Sequence, residues 1–195
     1  MLGALILAAG ESRRMGSAKA LLLYNDRTFV EHLLDVTRHP RIGVQRVILG
    51  AQAEYIRERL GLDPSLIIEN PDWQQGQLSS IQAGIRSLAE TPTEGVLLCL
   101  VDHPLISSAL VKTLIESFDA SGKAIVLPSY RGRRGHPLIF ASRLYDELLA
   151  ALAETGARAV VWKHAGEVLE VPTEEQGVLI NLNDPDAFQR SVGDG

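Results

Sequence analysis

The chain has 195 residues, a formal charge of −5 from 24 acidic and 19 basic side chains, and an apolar share of 46%. That length suits one domain, residues 1–195, with a substantial core. The acidic balance argues against nucleic acid as the main partner, because a surface that tracks phosphates is usually basic. No apolar run approaches the ~20 residues of a membrane-crossing helix. The apolar start has no basic region before it and no cleavage-like segment after it, so neither a membrane partner nor a signal peptide is expected. The lone cysteine, Cys99, lies in the apolar run GVLLCLV. It cannot form an internal disulfide and is expected to be a core residue in a reducing, cytoplasmic setting.

Taken in chain order, a buried strand is expected over residues 4–8. It stops at Gly10 and gives way to a loop carrying Arg13, Arg14, Gly16 and Lys19. A turn at Asn25-Asp26 precedes a helix with Val30, Leu33, Leu34 and Thr37 on one face. Further strands are expected at 44–49, 66–68, 96–101 and 124–127. Leu78, Ile81, Ile85 and Leu88 mark a second helix face; Leu110, Val111, Leu114, Ile115 and Phe118 mark a third. Strand–helix alternation with near-continuous apolar strands implies right-handed crossovers: an α/β, Rossmann-like fold with a mostly parallel central sheet flanked by helices.

After Pro128 the rhythm changes. SYRGRRGHPLIF reads as a basic loop entering a short strand at 138–140, followed by a helix with Leu144, Leu148, Leu149 and Leu152 on one face. A short helix near Gly156, strands near 168–171 and 178–182, and a last helix opened by Asp184 or Pro185 complete the reading.

Ligands of open α/β sheets bind beyond the carboxyl ends of the strands, where the loop of residues 10–19 begins. Its glycines let the backbone approach a ligand closely, and Arg14 and Lys19 offer cations to anionic oxygens. A polyphosphate is the ligand this composition suits; a solvated turn is the alternative on spacing alone. No GKS or GKT ends the loop and no G-x-G-x-x-G is present, so it is neither a Walker P-loop nor a dinucleotide fingerprint.

LAAGESRRMGSAKALL closely resembles the L-A-A-G-x-S-x-R-M-G-x-x-K signature of the MobA-like nucleotidyltransferases, and within them the molybdenum-cofactor cytidylyltransferases. NPDWQQGQLSSIQAGI, VDHPLI, RGHPLIF, TGAR and NLNDPDAF resemble further family segments in the same order. The resemblance implies a nucleotide-diphospho-sugar-transferase-like fold and a Mg²⁺-dependent enzyme. Such an enzyme would move a nucleoside monophosphate from a nucleoside triphosphate to a phosphorylated small-molecule acceptor.

Carried over motif by motif, the resemblance makes Arg14, Lys19 and Asp102 catalytic. It places Leu7, Ala8, Ala9, Gly10, Arg14, Lys19, Asn70, Gly76, Ser79 and Ser80 on the nucleotide. Mg²⁺ would rest on Asp102 and Asn183, with Asn181 as the second choice. Asp102 ends the most apolar strand, where a carboxylate needs a positive partner; the plainer role is a cap on the next helix, for which Asp102 or Ser107 would serve. Asn stands where the family often has Asp, and His103 where it usually has Gln. Asn70 also suits a strand-end turn, Trp73 suits packing or a lid over the base, with packing preferred, and His136 and the Arg131–Arg134 cluster suit either a solvated loop or acceptor contacts.

Leu7-Ala8-Ala9-Gly10 is similar to the CTP-using group, whereas guanylyl-transferring relatives tend to carry L-A-G-G. CTP as donor and molybdopterin as acceptor are therefore the expectation, with guanylyl or sugar-phosphate transfer as alternatives. A non-catalytic nucleotide-binding regulator and a dinucleotide-dependent oxidoreductase, for which Glu54 offers an acidic residue after the second strand, are the rivals from other classes.

Overall fold

The structure, a computed structural model, describes residues 1–12 and 18–182. β1 (Leu2–Ala8) is buried along its whole length. A hairpin of β2 (Leu23–Tyr24) and β3 (Arg27–Thr28) follows. Its two-residue turn has φ 50° at Asn25 and 61° at Asp26, the left-handed pair of a type I′ turn, which Asn and Asp tolerate best after glycine. This is the turn expected there.

α1 (Phe29–Val36) starts at a reciprocal cap. Glu31 N–H donates to the Thr28 hydroxyl, while Thr28 N–H donates to the Glu31 carboxylate at 2.8 Å. Such a capping box satisfies two amides that the helix itself leaves open. Thr28→Ala is expected to lower the free energy of unfolding by about 1 kcal/mol, with Thr28→Ser retaining most of it, as measured by urea denaturation.

β4 (Ile42–Leu49), α2 (Ala53–Leu60), β5 (Ile67–Glu69), α3 (Gln77–Arg86) and β6 (Gly95–Leu100) continue the alternation. α2 was not legible beforehand: only Ile56 and Leu60 of its eight residues are buried, too few to display a period. α4 (Ser108–Ser121), β7 (Ile125–Tyr130), β8 (Arg133–Arg134), β9 (Leu138–Ala141), α5 (Tyr145–Ala150), α6 (Gly156–Lys163) and β10 (Val168–Pro172) complete the described elements.

Among the described residues, eight strands form one sheet ordered β10-β7-β9-β6-β1-β4-β5, with β8 paired to β7. β9 runs antiparallel to β6 and β7, and β8 antiparallel to β7; the other strands are parallel. The sheet is thus mostly parallel, as expected. Apolar residues of α1, α2 and α4 fill one core, and those of α3, α5 and α6 fill the other. Cys99 is fully buried, and burial pushes its thiol up to about 12, which leaves it an inert core group.

Two expectations fail. Residues 178–182 form no strand: Gln176–Leu179 is a 3₁₀ turn, and the segment bonds to loops instead of a sheet edge. Leu152 lies outside α5 and is 65% exposed, because the helix ends at Ala150. The expected last helix, opened by Asp184 or Pro185, lies outside the described residues. No helix among the described residues is long and apolar enough to cross a membrane.

Candidate active site at the carboxyl edge of the sheet

Parallel pairing brings several strand ends to one edge. Ala8 faces Leu49 across β1 and β4, Leu49 faces Glu69 across β4 and β5, and Leu7 faces Leu100 across β1 and β6. The chain therefore leaves the sheet side by side at Ala9, Gly50, Asn70 and Val101. Backbone bonds extend the register beyond the strands: Val101 N–H donates to the Leu7 carbonyl at 3.1 Å, and Ala51 N–H to the Ala9 carbonyl at 3.0 Å.

A cavity of about 220 Å³ opens at this edge, between the tip of β1, the start of α3 and Asp102. The Ser12 hydroxyl accepts the Lys19 N–H at 3.1 Å. Lys19 Nζ then stands 3.5 Å from Asp102 Oδ2, with side chains 13% and 22% exposed. Residues 83 positions apart thus place an ammonium and a carboxylate in one cleft. A pair this long is weakly bound and can be parted by a ligand that offers each group a better partner.

The other wall comes from residues 70–80. Asn70, 3% exposed, donates through Nδ2 to the hydroxyls of Ser79 at 2.9 Å and Ser80 at 3.0 Å. Its Oδ1 accepts the Asp72 N–H at 3.0 Å. Ser79 in turn donates toward the carbonyls of Asp72 and Gly76. Gly76 has φ 94°, a conformation open to glycine, and α3 begins there without a side-chain cap. The amide end of α3 therefore faces the cleft with its positive dipole end, a favourable place for anionic oxygens. Gly50 permits Trp73 to lie close: a Cβ at residue 50 would stand 2.5 Å from Trp73 Cβ and 2.8 Å from the Ala9 carbonyl. Trp73 is thereby a wall of the cleft as well as a packing residue.

Of the residues singled out from the sequence, Leu7, Ala9, Gly10, Lys19, Gly76, Ser80 and Asp102 line this cavity. Ala8 is buried in the core on the sheet's other face. Asn70 and Ser79 stand behind the wall, bonded to each other, and hold α3 to the end of β5. Arg14 and Asn183 lie outside the described residues. Asn181 is exposed, and the next residue, Leu182, donates its N–H to the Asp102 carbonyl at 2.8 Å, so the closing segment passes directly beside Asp102. Sequence reasoning missed Gln77 and Ser12, two polar residues of the cleft; the only signal for them was adjacency to Gly76 and Gly10.

Gln77 also lines a second cavity of about 540 Å³, with Ile81, Leu127, Phe140, Arg134, His136 and Arg158 among its walls. Arg158 lies 5.8 Å from the Trp162 ring centre. Of the second basic cluster, Arg134 pairs with Glu170 at 2.8 Å and Arg131 lies over the Tyr130 ring. His136 is 5.0 Å ring-to-ring from His103. Burial, followed by the neighbouring His103, holds His136 down at about 4; burial lowers His103 against the opposing pull of Asp102 and the Val178 carbonyl. Both imidazoles are therefore neutral near pH 7 and add no charge to the cleft.

Among the described residues no three His, Cys, Asp or Glu side chains gather as a metal cluster. The donor set near Lys19 fits a hard cation that takes one or two carboxylate or carbonyl oxygens and completes its shell with phosphates and water. Asp102 is the described residue suited to hold it.

The family model for the MobA-like NTP transferase domain matches residues 4–168. The chain is 34% identical over 160 residues to the nicotine blue oxidoreductase of Paenarthrobacter nicotinovorans, covering 78% of each protein. It is 25% identical over 187 residues to the molybdenum cofactor cytidylyltransferase of Escherichia coli K12, covering 94% of this chain and 92% of the relative. Among solved structures, Rv0371c of Mycobacterium tuberculosis H37Rv superposes with a TM-score of 0.79 at 26% identity, covering 98% of this chain and 97% of that one. From its fold, its strand-end cleft and these matches, the chain belongs to the MobA-like NTP transferase family of nucleotidyltransferases.

Proposed function

We propose that this protein transfers CMP from CTP to a phosphate-monoester acceptor, molybdopterin foremost, with release of pyrophosphate. The observation that carries the reading is the meeting of Lys19 and Asp102 at 3.5 Å across the cleft at the carboxyl edge of the sheet. An acceptor phosphate oxygen attacks the α-phosphorus, the bond from that phosphorus to the bridging oxygen breaks, and pyrophosphate carries the electron pair away. A phosphate monoester has its second pKa near ~6, so the nucleophile is already charged at neutral pH and no general base is required. The protein's task is alignment and charge neutralisation.

Lys19 and the open end of α3 hold triphosphate oxygens, and Arg14 is the expected second cation. Asp102, with Asn183 as the expected partner, would hold Mg²⁺, which would supply neutralisation of phosphate charge. The acceptor lies in the second cavity, which adjoins the first at Gln77. The Ala9 side chain at the cleft wall supports a pyrimidine over a purine, in keeping with the name of the Escherichia coli relative. Pyrophosphate release measured with each of the four nucleoside triphosphates, Mg²⁺ and molybdopterin tests this. CTP is expected to support the fastest turnover; faster release from GTP would overturn the base preference.

A second reading is favoured by the relative named nicotine blue oxidoreductase, at 34% identity. Reduction of such a dye would need an electron donor such as a reduced dinucleotide. Bleaching of nicotine blue with that donor, without pyrophosphate release from any triphosphate, would establish it. The sequence has no glycine fingerprint for a dinucleotide, and Glu54 is an exposed residue of α2.

A further inference from the structure

The segment from Thr173 to Leu182 contributes no lining residue to either cavity, yet it touches both sides of the site. Glu175 accepts two bonds from Ser107, the N–H at 3.1 Å to Oε2 and the hydroxyl at 2.5 Å to Oε1. Ser107 in turn caps α4 by accepting the Leu110 N–H at 3.0 Å. Two residues on, Gly177 lies against the Leu105 carbonyl so closely that a Cβ would stand 1.6 Å from its oxygen. The Val178 carbonyl accepts the His136 N–H at 3.0 Å, and the Leu182 N–H reaches the Asp102 carbonyl at 2.8 Å. Val178 and Leu182 are fully buried.

Four ties thus fasten one strap to the loop of residues 102–107 on one side and to the wall of the second cavity on the other. That loop leaves β6 with little secondary structure of its own, so the strap fixes where the Asp102 backbone sits. We propose that residues 175–182 act as a positioning strap for Asp102, with Glu175 and Gly177 as its anchoring positioning residues. This rests on the nucleotidyl-transfer reading of Asp102. Neither anchor touches substrate. Each holds the loop that carries the Asp102 carboxylate, whose placement matters at the scale of an ångström, where about a hundredfold in rate can be lost. Gly177 is required for close approach alone, since a side chain there meets backbone that cannot rotate away.

The test compares Glu175→Ala, Glu175→Gln and Gly177→Ala with the parent chain. It measures kcat and KM for CTP, melting temperature, and amide hydrogen exchange over residues 102–110 and 182. The strap predicts that Glu175→Ala loses about tenfold or more in kcat with KM for CTP within about threefold, because Lys19 and the α3 end stay in place. Gly177→Ala is expected to lose about a hundredfold. Glu175→Gln, which keeps one acceptor for the Ser107 N–H, should recover part of the loss. Faster exchange at Ser107 and Leu182 should accompany the loss, with the melting temperature of the Glu175 variants near that of the parent.

Parent-like kcat in Glu175→Ala would overturn the proposal. So would a loss that merely follows the unfolded fraction, or unaltered exchange over 102–110. Should Gly177→Ala fail to fold, the Glu175 pair decides. If the parent chain itself releases no pyrophosphate, the transfer reading has failed, and the exchange measurement still judges the strap independently.

Discussion

Asp102→Ala is expected to abolish turnover, with kcat falling on the order of a thousandfold or more, while the protein folds and melts like the parent. The scale follows from removing a charge preorganised toward the reacting phosphates. Stability should be largely spared because the side chain meets Lys19 at 3.5 Å, a long contact in a partly buried cleft. The fold also uses the residue's backbone there, where its carbonyl accepts the Leu182 N–H. Asp102→Asn sharpens the point. It preserves size and one oxygen but loses the charge, so it should fall between alanine and the parent, with its deficit growing as Mg²⁺ is lowered. Parent-like turnover of Asp102→Ala at saturating Mg²⁺ would reject the assignment.

Lys19→Ala carries the second large effect. A fixed ammonium facing triphosphate oxygens is worth roughly 3–4 kcal/mol of transition-state stabilisation, or about 10²–10³ in kcat/KM for CTP. Because the ammonium should bind phosphate in ground and transition states alike, part of the loss should appear as a higher KM. Lys19→Arg is not a conservative repair. The guanidinium is broader than the ammonium that stands 3.5 Å from Asp102 in a small cleft, so it should restore nucleotide affinity better than kcat. Unchanged kcat/KM in Lys19→Ala would remove Lys19 from the reaction.

The two substitutions act within one pair and should not be additive. With Asp102 gone, removing Lys19 as well is expected to cost less than it does alone, as for groups that neutralise the same phosphates.

The central sheet could be read from the sequence because its innermost strands are buried on both faces and the helices α1, α3 and α4 show one apolar face each. The unbroken apolar runs of β1, β6 and β7 and the periodic apolar faces of α1, α3 and α4 are long enough to read. α2 fails that condition, with two buried residues in eight. Residues 178–182 carry the apolar run of a buried strand, yet the Val178 carbonyl is taken by His136 and the Leu182 N–H by Asp102, so loop contacts claimed groups that a sheet edge would have used.

At the site, the sequence pointed to residues before and after Gly10 and to Asp102, because glycine, cation and strand-end carboxylate each have a physical reason to stand where they do. It could not separate lining from support. Ser79 and Ser80 are neighbours of one chemical type, yet Ser80 lines the cleft while Ser79 turns its hydroxyl to the backbone of Asp72 and Gly76. Nor could it show Gln77 standing between two cavities, or Glu175 fastening the loop behind Asp102, since both depend on contacts between distant segments.

The most direct measurement is a crystal structure of the protein with a non-hydrolysable CTP analogue and Mn²⁺. The triphosphate is expected to lie between Lys19 and the start of α3, the ion on Asp102, and the base against Ala9 beside Trp73. A nucleotide bound elsewhere, with the Lys19–Asp102 cleft empty of phosphate and metal, would contradict it.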